Sequence, residues 1–173
     1  MRQGGDADPA YAHSMKRALA FALVALQIVL LAALAFLPHG SLWARGAFLV
    51  LISLVLDAVG LTLMLAGTLA LGPAFTASPI PREHAPLATR GLYGYIRNPI
   101  YTGFLAFGLG LTLYGASIWH VLLWIVLAVV LAVKTRWEER MLWAAHPDYP
   151  AYAARVGRFV PGVGRLRPPP DDR

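Results

Sequence analysis

Four stretches of this chain are nearly free of charge and too long to be surface segments of a water-soluble domain: residues 18–37, 46–72, 99–114 and 118–133. The first holds 20 residues and the second 27. At ~1.5 Å per residue either crosses a ~30 Å hydrocarbon core, the second with some tilt. The last two are 16 residues each, ~24 Å if helical, and Gly115-Ala116-Ser117 between them reads as a tight turn. They therefore form a helical hairpin whose second arm continues past Lys134 into the cytoplasm. The expected fold is all-α: an integral membrane bundle of about four transmembrane helices with a hairpin and a cytoplasmic C-terminal helical tail. Composition agrees, because only 14% of residues are charged against about 25% in soluble domains. A signal peptide is the alternative reading of the first run, but a signal's apolar core is about 7–15 residues and no clear small-residue cleavage site follows.

Charge placement orients the bundle. With both termini inside, 14 of the 15 Lys and Arg residues face the cytoplasm, as the positive-inside rule requires. The same distribution removes the nucleic-acid reading of the +6 net charge, since the bases sit on short loops and a tail between apolar runs. The Ala/Leu/Arg-rich, Lys-poor composition points to a high-GC bacterium and so to the inner membrane. The chain divides into a mobile N-terminus (1–17), two transmembrane helices (18–72), a loop, hairpin and amphipathic tail (73–167), and a disordered end (168–173). Trp43, in the first turn, suits a membrane interface. Pro73, Pro79, Pro81 and Pro86 make the long loop before residue 99 largely non-helical. On the first hairpin arm Thr102, Ala106 and Gly110 recur every four residues, a small-residue pattern that lets helices approach in lipid.

The chemistry-bearing residues lie in two segments that flank the hairpin, 91–103 and 137–162. Folding the hairpin brings them together. Asn98 is a strong N-cap and Pro99 a favoured first helical residue, so a helix starts at the membrane surface there. Its free N–H groups and the adjacent Arg97 make an anion site, ringed by Tyr93, Tyr95 and Tyr101. The same residues also read as an ordinary cap with interfacial tyrosines. Glu138 and Glu139 are adjacent, about 100° apart on a helix. One can face a pocket while the other pairs with Arg136 or Arg140. Lys134 lies one turn above Glu138 on the same face. It fits either a ligand contact or a simple stop-transfer charge. Asp57, in mid-span, costs roughly 2.5–3.5 kcal/mol if charged. It lies at a depth similar to Gln27, which suggests an interhelical hydrogen bond, with a proton-relay or transport role as the alternative. The absence of cysteine excludes disulfides, thiolate catalysis and cysteine-bound metal. His13, His39, His84, His120 and His146 lack metal-ligand spacing, so no metal is expected. There is no P-loop and no dinucleotide GxGxxG.

At these segments the sequence resembles the membrane methyltransferases of the isoprenylcysteine carboxyl methyltransferase and phospholipid N-methyltransferase type. The family loop LVTxGxYxxxRHPxY is matched by residues 87–101, its EExxL by residues 138–142, and its YxxYxxxVxRxxP tail by Tyr149, Tyr152, Val156, Arg158 and Pro161. The likeness covers residues 84–162, about half of the chain. It implies S-adenosylmethionine as cofactor, bound at the cytoplasmic face between loop and tail. By carry-over, the backbone of Leu87 and Ala88, Tyr93, Arg97, Asn98, Pro99, Ile100, Tyr101, Glu138 and Glu139 form the cofactor site. Arg97 and Glu138 are the residues expected to carry catalysis, Arg97 on the cofactor's methionine carboxylate and Glu138 on its ribose hydroxyls or ammonium.

Two departures from the family pattern matter. Lys134 stands where the prenylcysteine enzymes place a substrate-carboxylate arginine, keeping the charge but losing the bidentate fork. Asn98 replaces the common His and cannot titrate. The implied activity is methyl transfer to a carboxylate, thiol or amine on a lipophilic small molecule or lipid head group that enters from the bilayer. The rival readings are a small four-helix transporter or channel subunit built on Asp57, or a non-catalytic membrane partner.

Overall fold

A computed structural model describes residues 9–72 and 87–166. Helix α1 runs Pro9–Phe36, α2 Ala47–Leu71, α3 Pro99–Gly115, α4 Ile118–Ala145 and α5 Tyr149–Arg155, with a 3-10 turn at Gly91–Gly94. The all-α membrane bundle expected from the apolar runs is what forms. Three helices, Arg17–Phe36, Ala47–Leu71 and Ile118–Ala145, are long and apolar enough to cross a bilayer. Helix α3, at 17 residues, ~26 Å, is the fourth leg. The Pro-rich part of the long loop and the chain end lie outside the described residues.

Helix ends follow local chemistry. Gly46 and Gly72 bound α2, and Pro99 opens α3 at its first position. The hairpin turn is Ala116 in the left-handed region (φ 46°), then Ser117, whose side chain accepts from the Trp119 N–H and starts α4. Ser117→Ala removes that cap and is expected to cost about 1 kcal/mol, read as a lowered unfolding midpoint in detergent micelles. The first loop seals this end of the bundle. Gly40 N–H donates to the Gly115 carbonyl and Leu42 N–H to that of Ala116, both at 2.8 Å. Trp43 donates its indole N–H to the Leu113 carbonyl at 2.8 Å, so it is tied to the hairpin rather than only resting at an interface. His120, fully buried at the same end, lies 6.2 Å ring to ring from His39.

Helix pairing departs from the sequence reading at two points, the small-residue stripe and the Gln27–Asp57 bond. Helix α1 begins at Pro9, where Pro at the first position and the alanines after it favour helix. The closest helix pair is α2 with α3, while α1 packs chiefly on α4. The α2–α3 seam is made by glycines. A Cβ on Gly60 would sit 2.6 Å from the Phe107 amide nitrogen, and one on Gly103 would sit 2.6 Å from the Gly60 carbonyl oxygen. The small-residue stripe that matters therefore runs through Gly103 and Gly110, and Thr102 instead donates to the Phe159 carbonyl of the tail at 2.8 Å. The expected Gln27–Asp57 bond does not form. Gln27 accepts from Lys134 Nζ at 3.1 Å. Asp57 faces Gly110 across the α2–α3 seam, its Oδ1 without a hydrogen-bond partner. Equal depth does not make two helices neighbours; the glycine seam draws α2 to α3 and away from α1.

Candidate functional site

Helix α4 presents Lys134 and Glu138 one turn apart on one face and Glu139 about 100° away. That rotation gives the two glutamates different surroundings. Glu139 is 5% exposed and is gripped by two arginines. Its Oε1 receives Arg97 Nε at 2.9 Å and Nη2 at 2.8 Å. Its Oε2 receives Arg158 Nε at 3.0 Å and Nη2 at 2.6 Å. Neither Arg136 nor Arg140 is its partner. Glu138 instead lines a cavity and interacts with the Lys134 ammonium and the Tyr101 hydroxyl.

Arg97 is an internal clasp. Besides its bonds to Glu139, Nη1 donates to the carbonyls of Ala153 and Val156, and Nη2 donates to that of Gly164 at 3.0 Å. A guanidinium has five N–H groups, and each of them already faces an acceptor of the protein. The expected contact between Arg97 and a cofactor carboxylate would have to compete with these bonds. The side chain borders the cavity but spends its donors on joining the loop to the tail.

Asn98 is likewise turned to the tail. Its side chain forms no cap and donates to the Arg158 carbonyl at 3.3 Å. The backbone completes the seam: Ile96 pairs with Gly157 in a parallel bridge, and Arg97 N–H donates to the Gly157 carbonyl at 2.8 Å.

Aromatic residues lock this assembly to the membrane helices. Tyr149, Tyr152, Ala153 and Val156 form a buried cluster against Leu87, Leu142, Trp143 and Leu166. The Tyr152 hydroxyl donates to the Tyr93 carbonyl at 2.6 Å, and the Tyr93 hydroxyl donates to the Gly67 carbonyl of α2 at 3.3 Å. Burial pushes the Tyr93 hydroxyl up and that of Tyr152 up to about 12. Both stay protonated donors at neutral pH. Tyr152→Phe is expected to loosen the loop from α5 by about 1 kcal/mol, visible as faster backbone hydrogen exchange over residues 91–98.

Between these elements lies a cavity of ≈ 360 Å³. Its polar end carries Tyr93, Asn98, Tyr101, Lys134 and Glu138; its apolar walls are Val24 and Ile28 of α1, Met64 and Leu71 of α2, and Phe104 and Leu142. Lys134 is 2% exposed, bonded to Gln27, and its Nζ lies 4.9 Å from the centre of the Tyr101 ring. The first turn of α3 also reaches the cavity through Ile100. The amides of Ile100 and Tyr101 have no acceptor within their helix.

Of the expected site residues, Tyr93, Arg97, Asn98, Ile100, Tyr101, Lys134 and Glu138 border this one space, whereas Leu87, Ala88, Pro99 and Glu139 do not. Leu87 packs on the aromatic cluster. Sequence reasoning missed the α1 and α2 walls, the role of Gln27 and the second arginine on Glu139. The apolar wall residues carry no chemical signature, and the other two depend on contacts between residues 107 and 19 positions apart.

Comparison with known proteins bears on the same region. A family model described as phospholipid methyltransferase matches residues 44–147. No curated protein and no solved structure matches the chain. The family match takes in α2, the loop, the hairpin and the cavity residues from Met64 to Leu142, and it spans more than half of the sequence. This integral membrane protein therefore belongs to the phospholipid methyltransferase family.

Proposed function

We propose that the chain is an S-adenosylmethionine-dependent methyltransferase acting on a lipid head group or lipophilic small molecule at the cytoplasmic membrane face. The observation that carries this reading is the cavity itself, polar at the tail side and apolar toward the membrane interior, with Glu138 and Lys134 both in its wall. The residues fit the cofactor. Glu138 offers a carboxylate to ribose hydroxyls or an ammonium. The first-turn amides of Ile100 and Tyr101, without acceptors in their own helix, suit a carboxylate at a positive helix end, and Tyr93 supplies an aromatic face. Leu87, Ala88 and Pro99 shape the backbone around that end, and Arg97 with Glu139 positions it. When bound, the cofactor supplies an electrophilic methyl on a sulfonium.

What the protein adds is placement. Methyl transfer needs an unprotonated nucleophile held in line and shielded from water, and the apolar walls from α1 and α2 provide that shielding. Lys134, fixed by Gln27 and the Tyr101 ring, presents a positive charge to an anionic group on the acceptor. The family match favours a phospholipid amine among the carboxylate, thiol and amine acceptors. An amine carries its own lone pair once neutral, so Asn98 in place of a titrating histidine does not impede the step. Asp57 lies outside the cavity wall, which argues against a transport function built on it.

The test is transfer of labelled methyl from S-adenosylmethionine in membranes holding the protein, with label followed into the chloroform-soluble fraction. Wild type is expected to label that fraction, and Lys134→Ala and Glu138→Ala to lose at least about tenfold, a lost interaction of ~1.4 kcal/mol. Asp57→Asn is expected to stay near wild type. Loss on Asp57→Asn with indifference to Glu138→Ala would contradict the reading.

A further inference from the structure

A second concavity lies on the other side of the Arg97–Glu139 pair. It is a groove of ≈ 400 Å³ bordered by Arg136, Arg140, Trp143, Arg158 and Leu166, with Glu139 at its base. Glu139 is the carboxylate in its wall, and two arginines already neutralise it. Among the described residues neither Arg136 nor Arg140 has a carboxylate partner. Arg158 donates from Nε and Nη2 to Glu139 and also borders the groove. Among the described residues the groove therefore sets three arginines, Arg136, Arg140 and Arg158, against one carboxylate, Glu139, which Arg97 also neutralises.

Its position sets what can balance it. Arg136 and Arg140 are one turn apart on α4, and Trp143 continues the same stripe. Arg136 is three residues past the apolar segment that ends at Val133, ~4.5 Å along the axis, within a head-group layer of ~5–7 Å. Helical side chains tilt toward the helix N-terminus, and the N-terminus of α4 lies on the far side of the membrane. Both arginines therefore lean back toward the bilayer. A phosphodiester can accept forked hydrogen bonds from two guanidinium groups at once.

We propose that this groove binds the phosphate of an anionic phospholipid from the leaflet on the tail side, at a site separate from the methyl-transfer cavity. Through Arg158 the bound lipid touches the same Glu139 that holds Arg97, so it braces the tail against α4. The proposal goes beyond the methyltransferase reading and does not depend on it.

The test uses the full chain purified in detergent. Native mass spectrometry follows retention of phosphatidylglycerol against phosphatidylcholine, with calorimetric S-adenosylhomocysteine binding run beside it. Wild type is expected to prefer phosphatidylglycerol, and Arg136→Gln/Arg140→Gln to reduce that preference by roughly 10- to 30-fold, with S-adenosylhomocysteine binding unchanged. Should that double variant fold poorly, Arg136→Lys/Arg140→Lys, which keeps the charge and loses the fork, is expected to fall between the two. Equal retention of both lipids by wild type, or unchanged preference in the variants, overturns the proposal. Displacement of the lipid by millimolar inorganic phosphate overturns it too, since the groove would then be a simple anion site. Loss of S-adenosylhomocysteine binding in the glutamine variant would assign the groove to the cofactor instead.

Discussion

Arg97→Ala is expected to release the C-terminal segment from the bundle and to lower stability by about 3 kcal/mol or more. The side chain is only 1% exposed, and its loss strips donors from four acceptors at once: Glu139 and the carbonyls of Ala153, Val156 and Gly164. Buried acceptors left without partners cost about 1–3 kcal/mol each. Arg158 still meets Glu139, which keeps the loss near the lower end of what a broken buried ion pair costs. Beyond α5 the tail to residue 166 is not helical, so it has no ladder of its own to fall back on. Arg97→Lys is not expected to rescue, because one ammonium cannot present five donors in a plane. The measurements are the unfolding midpoint in micelles and protease cleavage within residues 146–166. A variant with wild-type midpoint and protection would show that Arg97 is not the clasp.

Gly60→Leu is expected to separate α2 from α3 and to abolish cofactor binding. The first added carbon already meets backbone of α3, 2.6 Å from the Phe107 nitrogen and 2.7 Å from the Gly103 oxygen. Backbone cannot rotate aside as a side chain can. Overpacking therefore costs at least the usual ~1–3 kcal/mol, and it falls on the most extensive helix pair of the bundle. Helix α3 carries the turn holding Ile100 and Tyr101, so the displacement reaches the cavity. Gly46→Ala is the control, since nothing lies within 4 Å of its added carbon. The check is the unfolding midpoint together with S-adenosylhomocysteine binding for both variants. Retained binding in Gly60→Leu would mean that the seam does not set the site.

What could be read in the sequence was what depends on local chemistry. Apolar run lengths defined the membrane helices, Pro99 marked the start of α3, and the spacing of Lys134 and Glu138 put them on one face. What could not be read depends on contacts across the chain. Glu139 differs from Glu138 by one step of rotation, and its task is decided by Arg158 in a segment without periodicity. Gln27 found Lys134 because α1 packs on α4, a choice fixed elsewhere by the α2–α3 seam. That seam did leave a trace, since Gly60 and Gly67 on α2 and Gly103 and Gly110 on α3 share a seven-residue spacing. The weaker Thr102–Ala106–Gly110 pattern drew the reading to a neighbouring face.

The central claim, that the cavity between α3 and α4 takes the cofactor, is tested most directly by calorimetric binding of S-adenosylhomocysteine to purified wild type, Glu138→Ala and Asp57→Asn. The account predicts micromolar binding by wild type and Asp57→Asn and at least about tenfold weaker binding by Glu138→Ala, the loss of ~1.4 kcal/mol. Folded wild type that does not bind, or Glu138→Ala that binds as well as wild type, would contradict it.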